Sequence, residues 1–219
     1  MENSYQAPAG WRLDQTESKI REQVLELSPD FVFFQELPGL VPYIETHDMI
    51  PANTKSHSGN IATLAKHELM DGLQSTAIDG VAVVTTITDA DLTLANVHLE
   101  SGRHGDGARL AAFRSIINAC PTRGLAVIGD TNTRTAEEPT LKEIGMKGDR
   151  PPSATWDSRS NRFREDGRKY TAFYTRYFHN QHVCVSNTKV WKQPTKSDSK
   201  SFQLSDHYAM SGSVRLASS

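Results

Sequence analysis

The sequence has few cysteines and no long apolar run. Its 2 cysteines, Cys120 and Cys184, have no Cys-x-x-Cys spacing, so we expect two small buried side chains, with a disulfide or a metal site as alternatives. No apolar stretch reaches the roughly 18 residues that a membrane-spanning helix needs, and the N-terminal part contains no apolar signal core. A soluble intracellular protein is therefore expected, either cytoplasmic or, in a eukaryote, nuclear.

The chain also lacks an excess of charge of either sign. It has 24 Lys and Arg residues against 26 Asp and Glu, which gives a net charge of −2. This balance gives no support to non-specific nucleic-acid binding, although a local basic groove is compatible with a near-neutral total. With 37% hydrophobic residues over 219 positions, the composition fits one folded α/β domain spanning residues 1–219 and excludes a disordered chain.

Hydrophobic periodicity predicts helices that alternate with strands. A helix is expected over residues 14–28, where apolar side chains recur at helical spacing, and a buried aromatic strand follows from Phe31 to Phe34. Two strands over 81–88 and 92–99 form a predicted hairpin, so the sheet is mixed. The remaining predicted elements are a helix over 106–119, a strand over 125–128, a short helix starting near Pro139, and strands over 170–178, 182–191 and 208–216.

Two polar segments between these elements are predicted to be loops. Residues 147–169 are rich in Arg, Asp, Ser, Gly and Pro, which is typical of a long functional loop. The segment 192–200 is polar throughout and is expected to connect two of the C-terminal strands.

Polar side chains at the predicted strand ends suit metal and phosphate chemistry, and loops from several strands converge at such positions. Hard divalent cations such as Mg²⁺ bind oxygen ligands, while phosphoryl transfer needs a base for water and donors for the phosphate oxygens. Taken singly, each side chain also has an ordinary interpretation, as a solvated strand end, a turn acid, a core histidine or a surface pair. The residues concerned are Glu36, His98, Asp130, Asn132, Asp206 and His207.

Several short segments occur in the order found in a known superfamily. They are Gln-Glu at 35–36, Asn-Val-His-Leu at 96–99, Gly-Asp-Thr-Asn at 129–132 and Ser-Asp-His at 205–207. This ordered set resembles the endonuclease/exonuclease/phosphatase superfamily. The resemblance implies a four-layer α/β sandwich, in which two packed mixed β-sheets are flanked by helices. It also implies hydrolysis of a phosphate ester with Mg²⁺, or alternatively Mn²⁺, as cofactor.

The resemblance further implies roles for individual residues around the metal and the attacking water. Glu36 would hold Mg²⁺, and Asp206 would contribute to the metal or water network. Asp130 would orient or deprotonate the attacking water, as a positioned general base does. Magnesium then acts as Lewis acid and template, and catalysis is largely electrostatic.

Other residues are implied to contact the substrate phosphate. Asn132 would bind it, His207 would donate to its non-bridging oxygens, and His98 would either contact it or support the site. Arg103 and Arg109 flank the loop after the strand of His98, where they would grip a backbone phosphate or remain solvated.

Further details resemble the enzymes that release a tyrosine from a 5′-phosphate of DNA. These are His-Leu-Glu-Ser, which ends at Ser101, the Gly-Asp-Thr-Asn-Thr-Arg run at 129–134, and the residues around Trp156. Trp156 would form a wall for a base or for the departing aromatic group, or else act as a packing anchor. A 5′-tyrosyl or other nucleic-acid end is therefore the expected substrate. Nucleotides, inositol phosphates and cyclic dinucleotides are alternatives, as is a non-catalytic phosphate-binding module.

Two departures from the family pattern stand out. No apolar strand precedes the first predicted helix, where the family has a strand carrying an Asn; Asn3 is the residue nearest to that position. Three alternatives follow: the gene starts upstream of Met1, the strand is missing, or Asn3 serves in an adapted way. If the strand is missing, a partner chain, a dimer or another segment would cover the open edge. In addition, Thr175 stands where the family has an Asp that supports the catalytic histidine, and a hydroxyl cannot stabilise a protonated imidazole as a carboxylate does.

Overall fold

The computed structural model describes residues 13–37, 41–56, 59–156, 174–192, 195–197, 200–202 and 207–217. Within these ranges the helices are α1 (Leu13–Leu27), α2 (Asp106–Asn118) and α3 (Glu138–Glu143). The strands, in chain order, are β1 (Phe31–Leu37), β2 (His47–Met49), β3 (Thr54–Ser56), β4 (Gly59–Lys66), β5 (Leu73–Ile78), β6 (Ala82–Ile87), β7 (Leu92–His98), β8 (Gly124–Asp130), β9 (Lys147–Asp149), β10 (Tyr177–His179), β11 (Val183–Trp191), β12 (Thr195–Ser197), β13 (Lys200–Phe202) and β14 (Ala209–Leu216).

The strands form two main sheets and two pairs. The larger sheet has the order β5-β6-β7-β8-β10-β9, and it is mixed because β7 and β8 run parallel while its other pairs are antiparallel. The smaller sheet has the order β1-β4-β2, with β3 also paired to β4. Strands β11 and β14 form an antiparallel pair, and β12 with β13 forms a short hairpin.

Three apolar clusters show how these elements stack. One lies between α1 and the smaller sheet, and includes Val24, Phe34 and Leu64. A second fills the space between the larger sheet and β1, β11 and β14. The third packs α2 and α3 on the far face of the larger sheet, with Phe113 and Phe178 in edge-to-face contact at 5.0 Å between ring centroids. The order helix, sheet, sheet, helix confirms the predicted four-layer α/β sandwich.

Strand β7 lies at the centre of this arrangement, and all its residues are buried. Successive side chains of a strand point to opposite faces. Leu92 and Leu94 accordingly face the second sheet layer, whereas Ala95 and Val97 face α2. A strand that is covered on both faces has a nearly continuous apolar sequence. For this reason the apolar run of β7 could be predicted as a strand from the sequence.

Most predicted elements are confirmed, with small shifts at their ends. The hairpin of β6 and β7, the strand β8 and the helices α1 and α2 lie where periodicity places them. The loop predictions are partly wrong, because 147–169 begins with β9 and 192–200 contains β12 and the start of β13. The C-terminal strand predicted over 170–178 is shorter, since only residues 177–179 of the described part are extended in β10.

Other predictions concern the termini and the cysteines. The missing first strand stays a prediction, because residues 1–12 lie outside the described residues. Cys120 and Cys184 are free thiols, and both are half-buried rather than fully buried. Among the described residues, no helix is both long and apolar enough to span a membrane.

A buried amide joins the two sheet layers next to the strand ends. Asn96 of β7 is fully buried, and its side-chain nitrogen donates to the carbonyl oxygens of Phe34 at 3.2 Å and Ala62 at 2.9 Å. Its side-chain oxygen accepts a hydrogen bond from Gln35 at 2.6 Å. A polar group in an apolar layer must be paired there, so these bonds fix the register between the two sheets.

We expect Asn96→Ala to lower the free energy of unfolding by about 2–3 kcal/mol, because it leaves Gln35 without this acceptor and removes an inter-sheet bridge. Urea denaturation measures the change. The matched control is Asn118→Ala at the exposed end of α2, which should shift stability by less than about 0.5 kcal/mol. Equal stability of the two variants would contradict the role assigned to Asn96.

Candidate active site

Side chains from three strand ends meet at one edge of the sandwich. His98 and Asp130 are register partners at the ends of the parallel strands β7 and β8, and Glu36 lies near the end of β1 in the facing layer. The Nε2 atom of His98 lies 3.4 Å from Glu36 Oε1 and 3.7 Å from Asp130 Oδ2. The structure therefore brings together three residues that the sequence predicted as site residues.

His98 is buried, and its ring is oriented by a hydrogen bond to Ser56. Its side chain is only 3% exposed, and its Nδ1 atom lies 3.0 Å from the hydroxyl of Ser56 in β3. The same hydroxyl donates to the carbonyl of Gly59 at 3.1 Å, so it accepts from the imidazole. The two ring nitrogens of His98 therefore face oxygen atoms on opposite sides, the Ser56 hydroxyl on one and the Glu36 and Asp130 carboxylates on the other. Ser56 was not predicted, because a three-residue strand gives no periodic signal.

The Gly-Asp-Thr-Asn segment turns sharply out of β8. Gly129 has φ +117°, and a Cβ atom there would lie 2.3 Å from the carbonyl oxygen of Val97, so no other residue fits. Asn132 takes a left-handed conformation with φ +48°, and its backbone N–H donates to Asp130 Oδ1 at 3.1 Å. This bond holds the Asp130 carboxylate against its own loop, with the other oxygen toward His98.

The Asn132 side chain is fixed by one hydrogen bond. Its amide nitrogen donates to the carbonyl of Leu99 at 2.9 Å. An amide nitrogen carries two hydrogens, so the second can point toward a ligand beside Asp130. The neighbouring Thr131, which the sequence did not single out, is fully buried and donates to the carbonyl of Arg176 at 3.0 Å. The loop is thereby tied to the segment that precedes β10.

His207 and Trp156 lie beside each other on a second side of the site. The two residues form an isolated antiparallel bridge, and the N–H of Tyr208 donates to the carbonyl of Thr155 at 2.7 Å. Both side chains are half-buried. Asp206, the second predicted metal ligand, lies outside the described residues.

A single cleft of about 1270 Å³ connects these two sides. Glu36, His98, Asp130, Thr175 and His207 all line it. The backbone N–H of Thr175 donates to Thr155 Oγ1 at 2.7 Å, which ties its segment to the loop that carries Trp156. The position predicted to support His207 thus belongs to the same cleft as that histidine.

Arg109 does not lie where the sequence predicted. Its guanidinium is fully buried and pairs with both carboxylate oxygens of Glu137, at 2.8 and 2.7 Å. It also donates to the carbonyls of Glu100 at 2.7 Å and Gly102 at 3.2 Å. Because these bonds use its donors inside the protein, Arg109 holds the loop after β7 instead of gripping a phosphate. Arg103, by contrast, is exposed on that loop.

Ser101 is exposed on the same loop, so its predicted contact with substrate stays a prediction. A second buried arginine, Arg176, supports the loop after β8, where it pairs with Glu138 and donates to Thr135 Oγ1 at 2.9 Å. Burial lowers the pKa of this guanidinium, and the nearby Glu137 carboxylate opposes the effect. Burial also raises the pKa of the Tyr177 phenol at the start of β10.

The donor set at the site suits a hard divalent cation. Among the described residues, the ion pairs of Glu36 and Asp130 involve only His98, and no Lys or Arg neutralises either carboxylate. Among the described residues, no three His, Cys, Asp or Glu side chains are arranged so that they could together hold a metal ion. Mg²⁺ commonly takes one or two carboxylates and completes its shell with water and substrate phosphate, so these residues fit that ion.

Comparison with solved structures identifies the fold. No protein-family model matches the sequence, and no match was found among curated proteins. A D. rerio TDP2 structure, complexed with single strand DNA product, has a TM-score of 0.71 at 18% identity and covers 94% of each chain. The Bacteroides thetaiotaomicron mannosyl-6-phosphatase Bt3783 has a TM-score of 0.63 at 13% identity, covering 92% of this chain and 91% of its own.

The endonuclease domain of TRAS1, a telomere-specific non-LTR retrotransposon, has a TM-score of 0.61 at 18% identity and covers 94% of each chain. These similarities, together with the four layers and the strand-end site, define the endonuclease/exonuclease/phosphatase fold. Within that fold the structure resembles tyrosyl-DNA phosphodiesterase 2 (TDP2), as the D. rerio structure shows.

We expect Arg109→Met to lower the free energy of unfolding by about 3–5 kcal/mol, because the mostly buried Glu137 loses the guanidinium bonded to both of its carboxylate oxygens. The double variant Arg109→Met/Glu137→Met should recover most of this loss, since neither charge then remains unpaired. Chemical denaturation of both measures the difference. The exposed residue gives the control: Arg103→Met should change stability by less than about 0.5 kcal/mol. If Arg109→Met and Arg103→Met lower the free energy of unfolding equally, the ion pair of Arg109 with Glu137 does not stabilise the protein.

Proposed function

We propose that this chain is a hydrolase that uses a divalent metal to cleave a phosphoester. The observation that carries the proposal is the meeting of Glu36 and Asp130 around His98, with Asn132 on the adjoining loop. Two carboxylates without a Lys or Arg partner among the described residues create the negative potential that a cation and its bound water need. The fold neighbours, which include a phosphatase and an endonuclease domain, are consistent with this chemistry.

Glu36 would hold Mg²⁺, or Mn²⁺ in its place, and Asp206 would contribute from the segment before His207. When bound, such an ion acts as a Lewis acid on the phosphoryl oxygen and fixes the substrate orientation. The Glu36 side chain is 27% exposed, which leaves room for water and phosphate in the remaining coordination positions.

The protein side chains supply the other parts of the reaction. Asp130, held by the backbone N–H of Asn132, orients the attacking water and accepts its proton. The second amide hydrogen of Asn132 donates to the phosphate. His98, fixed by Ser56, lies between Glu36 and Asp130 and either contacts the phosphate or supports the site.

His207 would donate to the non-bridging oxygens as negative charge develops on them. Thr175, which lines the same cleft, has a hydroxyl where the family pattern has a carboxylate, so it would orient the His207 imidazole less strongly. That difference favours a second candidate function, a phosphate-binding module of the same fold without turnover.

For the substrate, we propose a nucleic-acid end that carries a 5′-tyrosyl group. Trp156 is bridged to His207 through the backbone and is half-buried, and we assign its ring to stacking on an aromatic leaving group or a base. Arg103 and Ser101 are exposed on the loop after β7, where they suit contacts with the phosphate backbone. Other phosphate esters, such as nucleotides, inositol phosphates and cyclic dinucleotides, remain the competing substrates.

We expect Asp130→Asn to lower kcat/KM for p-nitrophenyl thymidine 5′-phosphate by about 10²- to 10⁴-fold, because an amide cannot accept the proton of water. Hydrolysis by the unchanged protein should require Mg²⁺ or Mn²⁺ and stop when a chelator is added. The matched control, Asp71→Asn, removes an exposed carboxylate far from β8 in the sequence and should have no effect.

Activity that survives Asp130→Asn would overturn this mechanism. If the unchanged protein binds phosphate ligands but shows no turnover with either metal, the phosphate-binding module is the correct interpretation instead.

The substrate proposal predicts a selective effect at Trp156. Trp156→Ala should lower kcat/KM for a 5′-phosphotyrosyl oligonucleotide by about 5- to 150-fold, the range that loss of one aromatic stacking contact gives. For the methyl ester of the same oligonucleotide 5′-phosphate, Trp156→Ala should change kcat/KM little. The variant Trp156→Phe should retain most of the activity on the 5′-phosphotyrosyl oligonucleotide. An equal loss of kcat/KM on both esters would refute the proposal that Trp156 stacks on the departing tyrosyl group.

A further inference from the structure

Strands β3 and β4 form a short ladder next to the candidate site. We call it the β3–β4 ladder, and it consists of Thr54–Ser56 paired with Gly59–Ile61 in antiparallel register. On its other edge β4 pairs with β1, where Asn60 is the register partner of Leu37. The ladder therefore meets β1 at the residue next to Glu36.

Strand β1 is irregular at the point where Glu36 lies. Its register with β4 shifts between Phe34 and Leu37, so two residues of β1 lie opposite one residue of β4. Glu36 belongs to this bulge and has φ 55°. A bulge redirects a side chain and locally disrupts the ladder hydrogen bonds. The position of Glu36 therefore depends on contacts other than the regular pairing of β1 with β4.

Gly59 of the ladder provides such a contact. It has φ +155°, and a Cβ atom there would lie 2.8 Å from Glu36 Cα and 2.9 Å from the Glu36 carbonyl carbon. Both of these are backbone atoms, which cannot rotate away from an added methyl group. Glycine therefore permits the close approach of the two strands at the bulge. Any side chain at position 59 would displace Glu36.

Ser56 connects the same glycine to His98. Its hydroxyl donates to the carbonyl of Gly59 at 3.1 Å and lies 3.0 Å from His98 Nδ1. Ser56 is 4% exposed and His98 is 3% exposed, so loss of the hydroxyl would take a partner from the ring inside the protein. One ladder thus contacts Glu36, through Gly59, and also His98.

The opposite end of the ladder is bonded to the larger sheet. Thr54 Oγ1 accepts the backbone N–H of Gly80 at 2.9 Å and lies 3.5 Å from Asp79 Oδ1. Gly80 and Asp79 belong to the connection between β5 and β6. The ladder is therefore fixed to both sheets, the one that carries Glu36 and the one that carries His98.

We propose that the β3–β4 ladder sets the position of Glu36 relative to His98, with Gly59 and Ser56 as positioning residues. The inference rests on the proposed function, in which Glu36 holds the divalent metal. Glu36 Oε1 and His98 Nε2 lie 3.4 Å apart, and functional groups must be held within about 0.5 Å of their productive geometry. Gly59 acts on the metal ligand and Ser56 acts on the imidazole, so the two residues affect different properties.

The first test removes the Ser56 hydroxyl. Ser56→Ala should lower kcat for p-nitrophenyl thymidine 5′-phosphate by about 10- to 100-fold, with KM changed less than about twofold, because the His98 ring loses its orientation. Ser56→Thr keeps a hydroxyl and should recover most of kcat. The matched control is Thr85→Val, which removes a fully buried hydroxyl that has no hydrogen-bond partner among the described residues, and kcat should not change.

The second test measures metal binding without substrate. Gly59→Ala should raise the Kd for Mn²⁺ by about 10- to 100-fold in an electron paramagnetic resonance titration, because the added methyl displaces Glu36. Ser56→Ala should leave this Kd unchanged. The matched control is Gly107→Ala in the first turn of α2, where an added Cβ has nothing within 4 Å, and it should bind Mn²⁺ as the unchanged protein does.

A third measurement needs neither metal nor turnover. In the metal-free protein, the ring signals of His98 in an NMR spectrum, assigned with His98→Gln, should shift in Ser56→Ala. They should return toward their original position in Ser56→Thr and stay in place in Thr85→Val.

The outcomes separate this inference from the proposed function. Equal kcat for Ser56→Ala and Thr85→Val, or unshifted His98 signals in Ser56→Ala, would overturn the inference and leave the hydrolase proposal standing. An unchanged protein that neither turns over substrate nor binds Mn²⁺ would instead refute the proposed function. Because the Ser56 comparison does not use Gly59→Ala, it decides the inference even if that variant does not fold.

Discussion

The buried amide of Asn96 is the contact on which the rest of the site depends. Asn96 lies two residues before His98, and its hydrogen bonds join β7 of the larger sheet to the β1–β4 pair of the smaller sheet. Two apolar sheet faces can slide against each other at little cost, whereas directional hydrogen bonds in a dry layer hold one register. With Gln35 bonded to the same amide, the next residue, Glu36, is brought to His98, which is register-paired with Asp130.

The backbone at these strand ends takes conformations that ordinary residues avoid. Glu36 and Asn132 both have positive φ, at 55° and 48°, and Gly129 lies where a side chain would collide with β7. Such conformations cost about 1–3 kcal/mol each and persist only where the surroundings enforce them. Here they turn the carboxylates and the amide away from the sheet ladders and toward a common space.

Two buried arginines hold the loops next to the site through hydrogen bonds and ion pairs inside the protein. Arg109 connects the loop after β7 to Glu137, and Arg176 connects the segment before β10 to Thr135 and Glu138. A guanidinium has five donors in a rigid fork, so one side chain can fix several carbonyls and a carboxylate at once. The buried positive charge in this region therefore acts as internal support, whereas Arg103 on the loop after β7 is exposed.

The sequence by itself determined the layered α/β fold and the strand-end positions of Glu36, His98 and Asp130. It could do so because periodicity marks long buried elements such as α1, β7 and β8, and the ordered short segments carry a family pattern. It could not find Ser56, since a strand of three residues has no period. It also did not reveal the inter-sheet role of Asn96.

Only the tertiary structure decided which polar residues support the site and which face the cleft. Arg103 and Arg109 flank one loop in the sequence, yet one is exposed and the other is fully buried against Glu137. The physical reason is that a side chain's partner is set by packing between elements distant in sequence, and burial makes an arginine pair with whatever acceptor lies there.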